Sequence, residues 1–179
     1  MDKREFIVKT AACLIHEHGY NNVGIKSILE KVSIPKGSFY YYFKSKEELG
    51  LAVIDYYIND IILLTSNADK SIQGIYNLFN LLFKRFINNQ LKKGCPIGNL
   101  ILELADENEC FRLKLLQWYR VLECFIEGIL INNNIKSSHN KAKAIIAAFE
   151  GTVLLAKLEK DISHVEAFNN YMFKAILNS

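Results

Sequence analysis

Residues 24–46 read Gly-Ile-Lys-Ser-Ile-Leu-Glu-Lys-Val-Ser-Ile-Pro-Lys-Gly-Ser-Phe-Tyr-Tyr-Tyr-Phe-Lys-Ser-Lys, and the reading of the whole chain turns on them. Ile25, Ile28, Leu29 and Val32 recur at helical spacing and make one apolar stripe of about two turns. Ser33-Ile34-Pro35 breaks that pattern, because proline disfavours helix in the residue before it yet suits a first helical turn. Lys36-Gly37-Ser38 then opens a second short helix, Phe39 to Phe43, which Lys44-Ser45-Lys46 closes. Two short helices joined by a tight turn form a helix-turn-helix, and the second is sized for the DNA major groove.

Charge points the same way. Lys26, Lys31, Lys36, Lys44 and Lys46 stand against the single anion Glu30, giving this stretch +4 in a chain of net charge +3. Positive charge is thus focused where a phosphate backbone would lie. Three consecutive tyrosines cannot all be buried in one short helix, and tyrosine hydroxyls bond phosphate oxygens. Phe39 and Phe43 are read as core.

The run from Pro35 to Leu49 resembles the DNA-binding signature of the TetR family of one-component repressors. Two positions depart from the family pattern. Gly24 stands where a helix-capping threonine is usual, and Val32-Ser33 where Ala-Gly is usual, which bears on the cap and the turn. The resemblance implies DNA contacts by Lys26, Ser27, Lys36, Gly37, Ser38, Tyr40, Tyr41, Tyr42 and Lys46. Lys36, Lys46 and the tyrosine hydroxyls suit phosphates, and Ser38 and Tyr41 suit base edges.

The rest of the chain reads as helix throughout. Half of the 179 residues are hydrophobic and only two are proline, so a globular, all-α fold of about nine helices is expected. Residues 2–19 form a first helix stopped by Gly19. A longer one runs from Lys46 to about Asn67. Further helices are expected at 71–91, 97–105, 109–131, 138–159 and 163–177. The chain then divides into a helix-turn-helix DNA-binding domain at 1–46 and a helical-bundle sensing and dimerisation domain at 47–179. No apolar run is read as approaching the ~20 residues of a membrane span, and the expected location is cytoplasmic.

Small residues Ala144, Ala148, Gly151 and Thr152, with Leu155, mark the penultimate helix for a close helix–helix seam. Packing within one chain accounts for such a seam; the resemblance implies a homodimer there, matching two half-sites of a palindromic operator. Large rings crowd the middle helices. Aromatic stripes at helical spacing suit a core, whereas the resemblance implies a cavity for a small-molecule effector, with Phe83, Phe86, Trp118, Tyr119 and Phe149 as candidate lining. Glu103, Glu123, Glu127 and Glu150 are further candidates for polar contacts.

Cys95 follows Gly94 at a helix start, beside Lys92 and Lys93, where helix dipole and cations favour thiolate. Within the family, the surrounding segment resembles a branch that includes sensors of electrophiles and oxidants, which implies Cys95 as a sensing thiol with Lys157 near it. Cys13, Cys110 and Cys124 are read as packing residues. The four cysteines and four histidines show no metal-ligand spacing. No catalytic motif is present, and Asp161-x-x-His164 is isolated, so neither an enzyme nor a cofactor is expected. The expected function is a DNA-binding regulator released from its operator by a small molecule or by Cys95 modification. The alternative is a helical thiol-reactive or ligand-binding protein with a vestigial DNA-binding domain.

Overall fold

The computed structural model describes residues 2–179, the side chain of Lys36 excepted. Every regular element among the described residues is helical. In order these are α1 (Lys3–His18), α2 (Ile25–Lys31), a 3₁₀ turn (Lys36–Ser38) leading into α3 (Phe39–Tyr42), α4 (Lys46–Asn67), α5 (Ile72–Asn88), α6 (Pro96–Leu104), α7 (Glu109–Asn132), α8 (Ser138–Glu159), α9 (Ser163–Ala167) and α10 (Phe173–Asn178). The single C-terminal helix expected at 163–177 is interrupted by one turn of π-helix, Phe168–Met172.

The chain forms two compact units. The first comprises residues up to Asp60 together with Pro96–Trp118. Its core takes Ile7, Ala11 and Ile15 from α1, Ile28 and Leu29 from α2, and Phe39 and Phe43 around α3. Leu49, Val53, Leu100, Phe111 and Leu115 complete it. Ile7, Ala11 and Ile15 recur four residues apart, as do Leu49 and Val53, and Phe111 and Leu115, so α1, α4 and α7 each turn an apolar stripe inward. The Tyr57 hydroxyl donates to the Ala12 carbonyl at 3.2 Å, and the Trp118 indole N–H to the Tyr57 carbonyl at 3.2 Å.

The second unit comprises Ile61–Cys95 and Tyr119–Ser179. At its centre Phe79 and Phe83 of α5 meet Phe149 of α8 and Phe168 of the π turn, with ring centroids 5.0–5.6 Å apart. Tilted and edge-on pairs of this kind add to the area the rings bury. Ser71 caps α5 by accepting the Gly74 N–H at 3.1 Å.

One sequence expectation needs correction here. α4, at 22 residues, is long and apolar enough by composition to cross a membrane. Glu47, Glu48, Asp55 and Asp60 interrupt its apolar run and obscure that property. Its Leu49, Val53, Ile54 and Ile58 are buried within the protein at helical spacing, which is the pattern of a core helix.

Candidate nucleic-acid interface and sensor cluster

The helix-turn-helix closes where the sequence breaks. Val32 N–H bonds the Ile28 carbonyl at 3.1 Å and Ile34 N–H bonds the Leu29 carbonyl at 3.0 Å, while Ser33 sits at φ 55 in the left-handed region. Glycine takes that conformation without strain, whereas a residue with a Cβ pays about 1–2 kcal/mol. The turn therefore keeps its shape with serine, at an energetic cost. Gly24 precedes α2 with extended backbone and offers no side-chain cap.

Burial sorts the aromatic run. Phe39 and Phe43 are in the core, and the Arg4 guanidinium lies 4.7 Å from the Phe43 ring centroid. Tyr40 is 64% exposed and Tyr41 85% exposed, with the half-buried Tyr42 ring 5.1 Å edge-on from Tyr41. Such exposure of two large rings is unfavourable in isolation and suits a partner with phosphates or base edges. Lys26 is exposed, pairing loosely with Glu30 at 3.8 Å. Ser27 donates its hydroxyl to the Gly24 carbonyl at 2.7 Å. Gly37 is exposed and Ser38 half-buried. The Lys36 side chain lies outside the described residues.

Lys46 is held rather than free. Its ammonium lies 4.4 Å from the Tyr20 ring centroid and 3.5 Å from the Asn21 carbonyl. Burial draws its pKa below the ordinary lysine value, with Glu103 pulling the other way. Glu103, on α6, also accepts the Asn21 N–H at 3.1 Å. Glu103, a candidate from sequence for polar contact in an effector cavity, instead clamps the turn after α1. Ser45 and Glu48 cap α4 through its own side chains: Ser45 Oγ accepts the Glu48 N–H at 3.1 Å, and Glu48 accepts the Lys44 N–H at 2.7 Å. Ser-x-x-Glu is a capping-box signal that the sequence reading passed over.

The second unit carries a separate polar cluster. Tyr119 donates its hydroxyl to Glu150 Oε1 at 2.9 Å, and the Cys95 thiol donates to the same carboxyl. Burial pushes the Glu150 carboxyl above the ordinary carboxylate range, opposed by those two hydrogen bonds. Burial, followed by the Glu150 charge, likewise raises the Tyr119 phenol. An open recess of about 290 Å³ lies against this cluster, lined by Tyr119, Glu123, Lys143, Ile146, Ala147 and Glu150.

Several sensor expectations fall elsewhere. Phe83, Phe86, Phe149 and Trp118 are buried in core packing and do not line this recess. Ring size and helical spacing alone cannot separate those two roles. Lys157 is half-buried on α8 and is not part of its lining. Cys13, Cys110 and Cys124, read as packing residues, are exposed, and Cys95 is half-buried. Sulfur counts as apolar in a periodicity, so the thiols at stripe edges passed for core.

On the proposed seam, Leu155 is exposed, and Ala144, Ala148 and Gly151 are half-buried. Thr152 turns inward and is buried, with its hydroxyl 4.0 Å from the Met172 sulfur. It therefore lies off the open face of α8.

Comparison with known proteins extends this picture over nearly the whole chain. Residues 7–53 match the bacterial regulatory proteins of the tetR family, and residues 71–171 match the C-terminal domain of LmrA/YxaF-like transcriptional regulators. An HTH-type transcriptional regulator in the lacX 3′ region of Lactococcus lactis is 31% identical, the match covering 92% of this chain and 88% of that protein. The HTH-type transcriptional repressor DhaR of Mycobacterium sp. (strain GP1) is 29% identical over 98% of this chain and 93% of its own. A crystal structure of a TetR transcriptional regulator from Legionella pneumophila superposes with a TM-score of 0.87 at 26% identity, covering 98% of this chain and 97% of that one. With both matched segments in place and the tyrosine-bearing helix exposed between its lysines, the chain belongs to the TetR family of DNA-binding helix-turn-helix transcriptional regulators.

Proposed function

We propose that this regulator is a homodimeric repressor that reads a palindromic operator through residues 1–46 and senses and dimerises through residues 47–179. The observation that carries the docking face is the exposure of Tyr40 and Tyr41 beside a local charge of +4. Lys26, Lys36 and Lys46 engage phosphates. Tyr40, Tyr41 and Tyr42 bridge to phosphates and base edges, with Ser27, Gly37 and Ser38 letting the backbone approach. Lys46 leaves its seat on Tyr20 for a phosphate, so Glu103 competes with DNA for it.

Dimerisation uses the open face of α8. Leu154 and Leu158 are 60% and 75% exposed, and Gly151 and Leu155 share their face at helical spacing. The effector enters the second unit beside Tyr119 and Glu150, and a ligand that prefers the non-binding state lowers DNA occupancy by mass action. Modification of Cys95 breaks its bond to Glu150 and offers a second route to release.

The test is a gel-shift titration on duplexes selected from a random library by the unaltered protein. Tyr41→Ala and Lys46→Ala each weaken binding about tenfold or more while the helical circular-dichroism signal persists, and Lys46→Ala lowers the salt slope by about one. Unchanged affinity in both variants would overturn the docking face. For the thiol route, methyl vinyl ketone releases DNA from the unaltered protein and not from Cys95→Ser; equal release from both would exclude it.

A further inference from the structure

Two charges of the first unit stand at helix ends whose dipoles disfavour them. Lys46 is the first residue of α4, and Glu103 the penultimate residue of α6. Helix dipoles favour anions at N-termini and cations at C-termini, so each placement destabilises its own helix. Tertiary contacts offset that cost. Glu103 Oε2 accepts the Asn21 N–H at 3.1 Å, and the Asn21 carbonyl in turn faces the Lys46 ammonium at 3.5 Å. The carboxylate lies close against this turn: a Cβ on Gly19 would come within 2.9 Å of Oε1 and 3.2 Å of Oε2. The ammonium also rests on the Tyr20 ring, 4.4 Å from its centroid. The Glu103 charge favours the protonated ammonium, against the desolvation that opposes it. Lys46 and Glu103 are both half-buried, so solvent and salt screen their attraction only in part.

We propose that Glu103 is an internal competitor of operator DNA: its carboxylate keeps Lys46 on the α1–α2 turn in the DNA-free protein and lowers operator affinity. A carboxylate offers the ammonium the same chemistry as a phosphate, an anionic oxygen, without the entropic cost of association. When DNA takes the ammonium, Glu103 is left as an uncompensated anion near the phosphate backbone. A like charge so placed lowers affinity and retains a cation that a neutral side chain would release. The bond to the Asn21 N–H is a separate role, since a neutral amide oxygen accepts it as well. The charge sets the affinity, and the acceptor sets the turn. Glu103 acts through Lys46, which makes it a positioning residue of the interface. This assignment rests on the reading of Lys46 as a phosphate contact, and names the group that restrains that contact before DNA arrives.

Gel-shift titrations on the selected duplex, from about 50 to about 200 mM salt, decide it. Glu103→Gln keeps the side-chain shape and the acceptor for Asn21 but removes the charge. It should bind about three- to tenfold tighter at the low-salt end, and its salt slope should steepen by up to about one. That advantage shrinks as salt rises. Glu103→Asp keeps the charge on a shorter arm and should not bind tighter than the unaltered protein. In a Lys46→Ala background, Glu103→Gln should change affinity by about twofold or less, because the group it restrains is gone. Thermal melts confirm that each variant folds. Unchanged or weaker binding by Glu103→Gln overturns the assignment. So does an equal gain from Glu103→Gln and Glu103→Asp, or a gain that persists undiminished without Lys46. Lys46→Ala by itself separates the two readings. If it binds as tightly as the unaltered protein, the docking role of Lys46 fails and this assignment with it. If it weakens binding while Glu103→Gln brings no gain, only the present assignment fails.

Discussion

Tyr20 shows how much of the first unit hangs on a single side chain. Its ring packs edge-on against Phe111 at 5.4 Å and carries the Lys46 ammonium at 4.4 Å. A methyl on Gly50 would come within 2.7 Å of it, so that position has no room for a side chain. Nothing in the sequence singles out Tyr20, because its partners are distant along the chain and periodicity reports only faces, not pairings. Gly19 before it is legible as a helix stop. The reason a side chain at Gly19 is strained is not legible: it lies at φ 86, and a Cβ there would meet Glu103 Oε1 at 2.9 Å, displacing that carboxylate. Burial, and secondarily Glu47, pushes the Tyr20 phenol up to about 12 from 10.0. A raised folded pKa means that its contribution to stability is fully present below pH 10 and is lost as pH rises from 10 to about 12. The rise from 10.0 to about 12 sets an upper bound of about 3 kcal/mol, reduced where solvent reaches the hydroxyl. Urea unfolding at pH 8, 10 and 11 should show the unaltered protein losing stability faster than Tyr20→Phe over that window. Parallel curves would show that the hydroxyl is hydrated in the fold.

At the scale of elements, two glycines with the same sequence appearance predict opposite outcomes. Gly24, before α2, has extended backbone and open space around its missing Cβ, with nothing within 4 Å. Serine there can accept from the first turn and restricts the unfolded chain, so Gly24→Ser should stabilise by about 0.5–1 kcal/mol. Gly74 lies in the first turn of α5, where a Cβ would collide with the Asp69 carbonyl oxygen. Gly74→Ala forces the chain away from the Ser71 cap and should destabilise by about 1–3 kcal/mol. Thermal melts read both, at roughly 2–4 °C per kcal/mol for a chain of this size. A shared sign would break the steric account. The same contrast marks what the sequence could and could not show. Helix positions were legible because apolar stripes and Gly, Ser and Pro punctuation are local signals. The π turn at Phe168–Met172 was not, since it lets Phe168 reach the Phe79, Phe83 and Phe149 cluster through long-range packing. The tyrosines and lysines of the proposed docking face were legible as an exposed, basic stretch, but the hold of Glu103 on the Asn21 turn was not. The recess was nearly illegible: Tyr119 was named for its ring, and nothing local ranked Glu123 and Glu150 above other glutamates.

For the molecule as a whole, the open face of α8 makes the sharpest demand. Leu154, Leu155 and Leu158 lie exposed at helical spacing, and Tyr171 is 74% exposed in the π turn that packs on α8. A contiguous apolar face of this kind calls for a partner surface, and a two-fold copy supplies one by matching the face to itself. One reading head alone buries little surface on DNA, whereas two heads joined in a dimer turn the second encounter into an intramolecular one. Leu154→Glu/Leu158→Glu should therefore run as a monomer in size-exclusion chromatography with light scattering. Its affinity for a two-half-site duplex should fall about a hundredfold or more, while binding to a single half-site is little changed. Thr152→Ala provides the internal contrast, because Thr152 is buried against Met172 rather than set in the open face. That variant should melt at lower temperature yet keep both the dimer and the two-half-site affinity. If instead Thr152→Ala dissociates the dimer and the leucine substitutions do not, the small-residue side of α8 forms the seam and the leucine face serves another partner.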